Sequence, residues 1–206
     1  MMHRHFPILS VPFPEKEIFV RLGGNLHRTA LTGRDASAFG RMAQAAFAHC
    51  HPRGVYAVFS VPEVRETGIV LETGDRLASR DFAALCKGCI AVWCAAATVG
   101  GEITAFRDGR GNVSEQAVCD AVGSETADAA MDVLHQTARR ELLRAGLAVG
   151  ERRFSAGYGD MDLQTQRLVD KLLGLSRIGI RLTEDCFMLP EKSVTAWAPV
   201  HRIASG

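Results

Sequence analysis

Two stretches of this chain concentrate side chains that can do chemistry. The first, E-R-R-F-S-A-G-Y-G-D, Glu151 to Asp160, places two arginines, two glycines and a tyrosine in ten residues. A guanidinium fork matches a carboxylate bidentately, a tyrosine face or hydroxyl suits a cationic neighbourhood, and glycine lets backbone come close to a bound molecule. The stretch is therefore either a ligand-holding loop or a polar surface connection with a solvated arginine. The second, C-K-G-C-I-A-V-W-C, sets Cys86-x-x-Cys89 with Cys94 five residues beyond. Zinc or an iron–sulfur cluster wants a fourth ligand at comparable spacing, often from a second such pair, and the chain has none. Cys89 to Cys94 also lies in the most apolar run, where thiols pack as small hydrophobes, so core packing leads and a cysteine-based metal or redox module centred on Cys86, Cys89 and Cys94 is the alternative. His49-Cys50-His51 is a poor ligand set, because neighbours on a helix point apart.

Several chemistries are excluded by what is missing. There is no G-x-S-x-G, P-loop, H-E-x-x-H or G-x-G-x-x-G, which disfavours a Rossmann-type cofactor domain. With 24 Lys+Arg against 23 Asp+Glu, the chain lacks the bulk attraction of a nucleic-acid binder. Its longest apolar run, Cys89 to Val99, is about half of what a bilayer span requires. Prolines interrupt the N-terminal apolar residues, so no secretory signal is expected, the default compartment is the cytoplasm, and the six cysteines should be thiols there.

The elements that must position these residues follow from periodicity. Ile8 to Pro14 reads as an extended arm suited to a sheet edge, and Glu15 to Leu22 as a short helix stopped by Gly23-Gly24. The Ala-rich segment from Asp35 has helical spacing at Phe39, Met42, Ala43, Ala46 and Phe47. Val55 to Val61 and Thr67 to Leu71 read as neighbouring strands, Ser79 as the N-cap of a helix through Leu85, and Cys89 to Ala97 as a buried strand. The longest helical pattern runs from Ser114 to Ala145, with Val118, Val122, Ala129 and Val133 on one stripe, Cys119, Ala130 and Leu134 beside it, and Gly146 as its stop. Leu163 to Leu175 reads as an amphipathic helix, then Ile178 to Leu182 and Ser193 to Val200 as strands. Interspersed elements without a regular βαβ rhythm predict an α+β fold with a mostly antiparallel sheet, as one domain over residues 1–206.

The loop gains a partner downstream. R-x-x-x-G-Y, followed some thirty residues later by L-T-E-D-C-F-M-L-P-E-K-S-V-T-A-W, resembles the activation domain of cobalamin-dependent methionine synthase. I-F-V-R-L-G-G, T-G-I-V-L-E, S-R-D-F-A-A-L-C-K-G-C and A-A-A-T-V-G-G-E-I resemble its short, freestanding members, so the likeness covers nearly the whole chain. That resemblance implies a helmet-like fold and a shallow S-adenosylmethionine site used in reductive remethylation of oxidised cobalamin. It implies that Arg153 holds the ligand carboxylate, the Ser155 backbone meets its polar groups, Tyr158 lies against it, and Gly157 and Gly159 permit close approach. An acidic contact for the ligand's ammonium would come from Asp128 or Glu125 on the long helix. Glu184 and Met188 would be site walls or docking surface, against a plainer reading as core-edge residues. The implied partners are a cobalamin-binding methionine synthase or another corrinoid methyltransferase on a separate chain, and an electron donor of flavodoxin or ferredoxin type. The chain has no D-x-H-x-x-G for cobalamin; its nearest approach is Asp132-Val-Leu-His135, with the wrong spacing. A corrinoid-protein chaperone with a degenerate ligand site is a further alternative.

Overall fold

Eight consecutive residues, Ala91–Thr98, are all buried. A strand with no exposed face must be covered on both sides, and this one lies at the centre of a five-stranded sheet. The computed structural model describes residues 2–24 and 34–203. In chain order the elements are β1 (Met2–Phe6), α1 (Glu15–Arg21), α2 (Arg34–Phe47), β2 (Arg53–Ser60), β3 (Glu63–Arg65), β4 (Gly68–Val70), β5 (Arg76–Leu77), α3 (Arg80–Leu85) and β6 (Ala91–Thr98). They continue as α4 (Glu102–Asp108), α5 (Val113–Leu143), β7 (Leu147–Val149), α6 (Thr165–Leu173), a 3-10 turn (Leu175–Ile178), β8 (Arg181–Leu182), β9 (Met188–Leu189) and β10 (Ser193–Arg202). The main sheet runs β1-β2-β6-β10-β7 with every neighbouring pair antiparallel, so the fold is α+β and not a Rossmann-type parallel sheet.

Period-two alternation divides the core. Val92, Cys94 and Ala96 of β6, with Val55, Ala57 and Phe59 of β2 and Trp197 of β10, face α3, α6 and the small β3-β4-β5 sheet. Trp93, Ala95 and Ala97, with Tyr56, Ala196 and Ala198, face the C-terminal half of α5. The N-terminal half of α5 leaves the sheet and packs with α1, α2 and α4 around Ile18, Ala46, Ile103 and Val122. The alanines on β6 allow the helix to lie close, and Gly54 on β2 continues that contact. A Cβ there would stand 2.7 Å from Leu134 Cδ1.

Several expectations need correction. The edge strand is Met2–Phe6, upstream of the proposed Ile8 to Pro14 arm; β1 must supply ladder hydrogen bonds to β2, and Pro7, Pro12 and Pro14 have no N–H to give. Val55 to Val61 and Thr67 to Leu71 are not paired: β4 belongs with β3 and β5. Ile178 to Leu182 divides into the end of a 3-10 turn and the two residues of β8, because Gly179 at φ 79° turns the chain. On α5 the buried line is Cys119, Val122, Thr126, Ala130, Leu134 and Ala138, while Ala129 and Val133 are only half-buried. The helix α4 was not anticipated from the sequence; glycines flank it and its N-cap makes no side-chain bond.

Candidate functional site

Glu125, Asp128 and Asp132 lie at i, i+3 and i+7 on α5, which stacks them on one face of the helix. Ala129 and Val133 alternate with them, and this mixed face is why those two residues left the apolar stripe. Opposite run Pro12, Phe13 and Pro14 and the start of α1, enclosing with α5 a groove of about 480 Å³ that Glu17, Gln136 and Arg140 complete. Carboxylates therefore outnumber cations along a groove whose remaining lining is proline, phenylalanine, valine and alanine. Arg21 crosses at one end, with its Nε on Glu125 and Nη2 3.8 Å from Asp128. Its own proton is held more tightly by the bond to Glu125. Burial, then the neighbouring Glu125 charge, raise the Asp128 carboxyl above its ordinary range, while Arg21 and Arg153 pull it partly back.

Arg153 reaches the same helix from the loop. Phe154 makes reciprocal backbone hydrogen bonds with Trp197, 2.8 and 2.7 Å, and turns its ring into the α3 side of the core. Adjacent residues of extended chain point oppositely, so Arg153 is delivered to α5. There Nη1 lies 2.6 Å from Asp132 Oδ1, yet this buried nitrogen has no hydrogen bond of good geometry. The ion pair holds the guanidinium in place against α5.

The rest of the loop is a built turn. Gly157 and Gly159 have φ of 82° and 55°, conformations that side chains resist, and Gly157 N–H donates to Met161 O at 2.8 Å. Asp160 closes it by accepting from Arg80 N at 2.6 Å, Asp81 N at 3.3 Å and the Ser79 hydroxyl. Ser79 also caps α3 through Phe82 N, as its sequence position predicted. Ser155 Oγ donates to Thr195 O at 2.8 Å, and its carbonyl accepts from Tyr158 N. Tyr158 stands edge-on to Phe154 with 71% of its surface exposed.

The sequence candidates thus separate. Asp128 and Glu125 line the groove, and Arg153 meets the same helix through Asp132, the ion partner that the sequence reading did not name. Its i+4 spacing from Asp128 was the available signal. Ser155, Gly157 and Tyr158 belong to the same loop, with Tyr158 on its α3 side. Glu184 and Met188 lie elsewhere: Glu184 is an exposed residue between β8 and β9 whose carbonyl accepts from Arg167, and Met188 packs half-buried against the α3-side core. His135, the last residue of the D-V-L-H run, is buried, with Nε2 2.9 Å from Gly150 O and its ring against Trp93. A histidine committed in this way is unsuited to bind a corrinoid. All six cysteines are free and buried, and among the described residues no group of three or more His, Cys, Asp or Glu could hold a metal. No helix among the described residues is long and apolar enough to cross a membrane.

No family model matches the chain, and no curated protein matches it. Among solved structures, the chain is similar to a crystal structure of the MetH reactivation domain bound to AdoHcy. The two share 17% sequence identity and a TM-score of 0.68, over 100% of this chain and 80% of that one. The likeness is one of fold: the chain has the architecture of that reactivation domain.

Proposed function

We propose that this chain, acting as one unit, binds S-adenosylmethionine between α5 and the Glu151–Asp160 loop and serves the reductive remethylation of a corrinoid. The observation that carries this reading is the Arg153–Asp132 pair at the edge of an acidic, partly apolar groove. The amino-acid end of S-adenosylmethionine is a zwitterion, and an Arg–Asp pair is its complement. The guanidinium takes the carboxylate bidentately, and Asp132 with Asp128 takes the ammonium. The surplus of carboxylates along the groove suits a sulfonium cation. The fold neighbour, with AdoHcy bound, agrees with an adenosyl amino-acid ligand.

Bound in this way, the ligand supplies the methyl group. The chain's own residues orient it, and we expect no general base in the Glu151–Asp160 loop. The corrinoid is held outside these residues, since His135 is committed to Gly150 and Trp93. We assign it to a cobalamin-dependent methionine synthase in the cytoplasm, with the electron supplied by a flavodoxin- or ferredoxin-type protein.

Isothermal titration tests the binding step. Saturable S-adenosylmethionine binding that Arg153→Ala weakens by about ten- to a hundredfold is expected, the equivalent of a charge-assisted hydrogen bond. Absence of saturable binding, or indifference to the substitution, overturns the reading. The reactivation step is tested by mixing the protein, S-adenosylmethionine, a reductant and a co-purifying corrinoid protein and following the cobalt(II) spectrum. Methylcobalamin should form; its failure to form with any native partner rejects the remethylation role, and the identity of the productive partner distinguishes methionine synthase from another corrinoid methyltransferase.

A further inference from the structure

Cys86 and Cys89 terminate α3 in a way packing alone does not require. Cys86 is the C-cap, its N–H bonded to Phe82 O at 3.0 Å, and Cys89 N–H returns to Cys86 O at 3.0 Å. This closes a four-residue turn with Gly88 at φ 72° in its third position. Such a turn holds its first and last Cα atoms within about 7 Å, the range a disulfide spans. Each thiol is the other's principal electrostatic neighbour, while Lys87 and Gly88 between them are exposed. Cys94, on the neighbouring strand, is wholly buried.

We propose that Cys86 and Cys89 form a reversible dithiol–disulfide site, and that α3 transmits its state to the Glu151–Asp160 loop. Cys89 is the attacking thiol. It is the less buried of the two, at 9% against 0%. Its proton is held more loosely than usual because of the neighbouring Cys86 thiol, with further help from the backbone of Ala91 and Cys89 itself, against the opposing effect of burial. Cys86 is correspondingly pushed up, by the Cys89 thiol and by burial. Burial likewise raises Cys50, Cys94 and Cys119. With a low-molecular-weight disulfide such as oxidised glutathione as oxidant, Cys89 sulfur bonds to one glutathione sulfur and the other glutathione leaves as a thiolate. Cys86 sulfur then attacks Cys89 sulfur and displaces the second. The two protons lost by the cysteines appear on two molecules of reduced glutathione, and the oxidant's disulfide bond is replaced by the protein's.

Bond formation draws the sulfurs to about 2.05 Å. Cys89 leads directly into the sheet, so the displacement falls on α3, a helix of only six residues. The opposite end of that helix holds Asp160 through Ser79, Arg80 and Asp81, and its Phe82 packs on Phe154 at 5.9 Å. Oxidation therefore loosens the segment that carries Arg153.

The test is to expose the whole protein to oxidised glutathione, denature it in alkylating agent and map its peptides. The peptide holding Cys86 and Cys89 should lose two hydrogens and take up no label, with the other cysteines fully labelled. Labelled Cys86 and Cys89, or a stable glutathione adduct on Cys89, overturns the site. Hydrogen exchange at Phe82 and Gly157 should accelerate about tenfold on oxidation in the parent and remain unchanged in Cys89→Ser; equal exchange in both redox states overturns the coupling. If the proposed ligand site is correct, S-adenosylmethionine affinity falls on oxidation. If the ligand binds in neither state, that earlier reading fails while the peptide map and exchange still decide this one.

Discussion

Asp128 illustrates how a site carboxylate works against the stability of its own fold. Its raised pKa means that the ionised form is less favourable in the folded chain than in the unfolded one, so stability falls as pH rises through the folded pKa and returns on acidification. Asp128→Asn should leave the thermal midpoint at pH 7 no lower than the parent's while weakening S-adenosylmethionine binding in titration; a clear loss of stability would contradict this. Arg153→Lys keeps the charge but loses the fork, and its affinity should fall between parent and Arg153→Ala. The sequence singled out Arg153, Asp128 and Glu125 as candidates through residue type and resemblance. It did not reveal Asp132 as the partner, because which carboxylate Arg153 reaches is decided by the Phe154–Trp197 bridge, a contact across 43 residues of chain.

Among elements, β10 and α5 are joined by charge as well as by packing. Lys192 lies nearly buried just before β10, its ammonium 2.7 Å from Asp120 and 3.1 Å from Ser124 on the helix, and Arg107 of α4 joins the same carboxylate at 2.8 Å. Burial raises the Asp120 pKa, but Lys192 and Arg107 outweigh it and hold the carboxyl below its ordinary value. A depressed carboxylate stabilises the fold above its unfolded pKa and loses that contribution as pH falls below about 4. Asp120→Asn should cost about 2 kcal/mol in denaturant unfolding at pH 7, less than orphaning a fully buried pair because Asp120 is 43% exposed. Gly54→Ala, which drives a methyl into Leu134, should cost about 1–3 kcal/mol in the same measurement. The strands and helices with strong local signals, such as the all-buried β6 and the Ser79-capped α3, were readable from the chain. The weak ones were not: α4 has glycine at both ends, and β1 depends on pairing with β2 rather than on its own residues.

For the whole molecule, covering the sheet on both faces makes acid response a sum over separated sites. His135, on α5 with its ring against Trp93, has a lowered pKa, first from burial and then from Arg153 and Arg139. Below about pH 6.5 the unfolded chain takes up this proton before the folded one, so stability should begin to decline there, well before the carboxylates act below about pH 4. His135→Gln should erase the earlier decline in midpoint-against-pH curves and leave the later one. S-adenosylmethionine at a hundredfold excess over its Kd should add about 2.7 kcal/mol to the parent's stability and far less to Arg153→Ala's. The division of the core has an optical consequence as well. Its two tryptophans lie on opposite faces of the sheet, Trp93 beside His135 and Trp197 clasping Phe154 of the loop. Indole emission from Trp93 therefore senses the proton on His135, while that from Trp197 senses the backbone bridge that anchors the loop, so the chain carries an intrinsic fluorescent reporter on each face of its sheet.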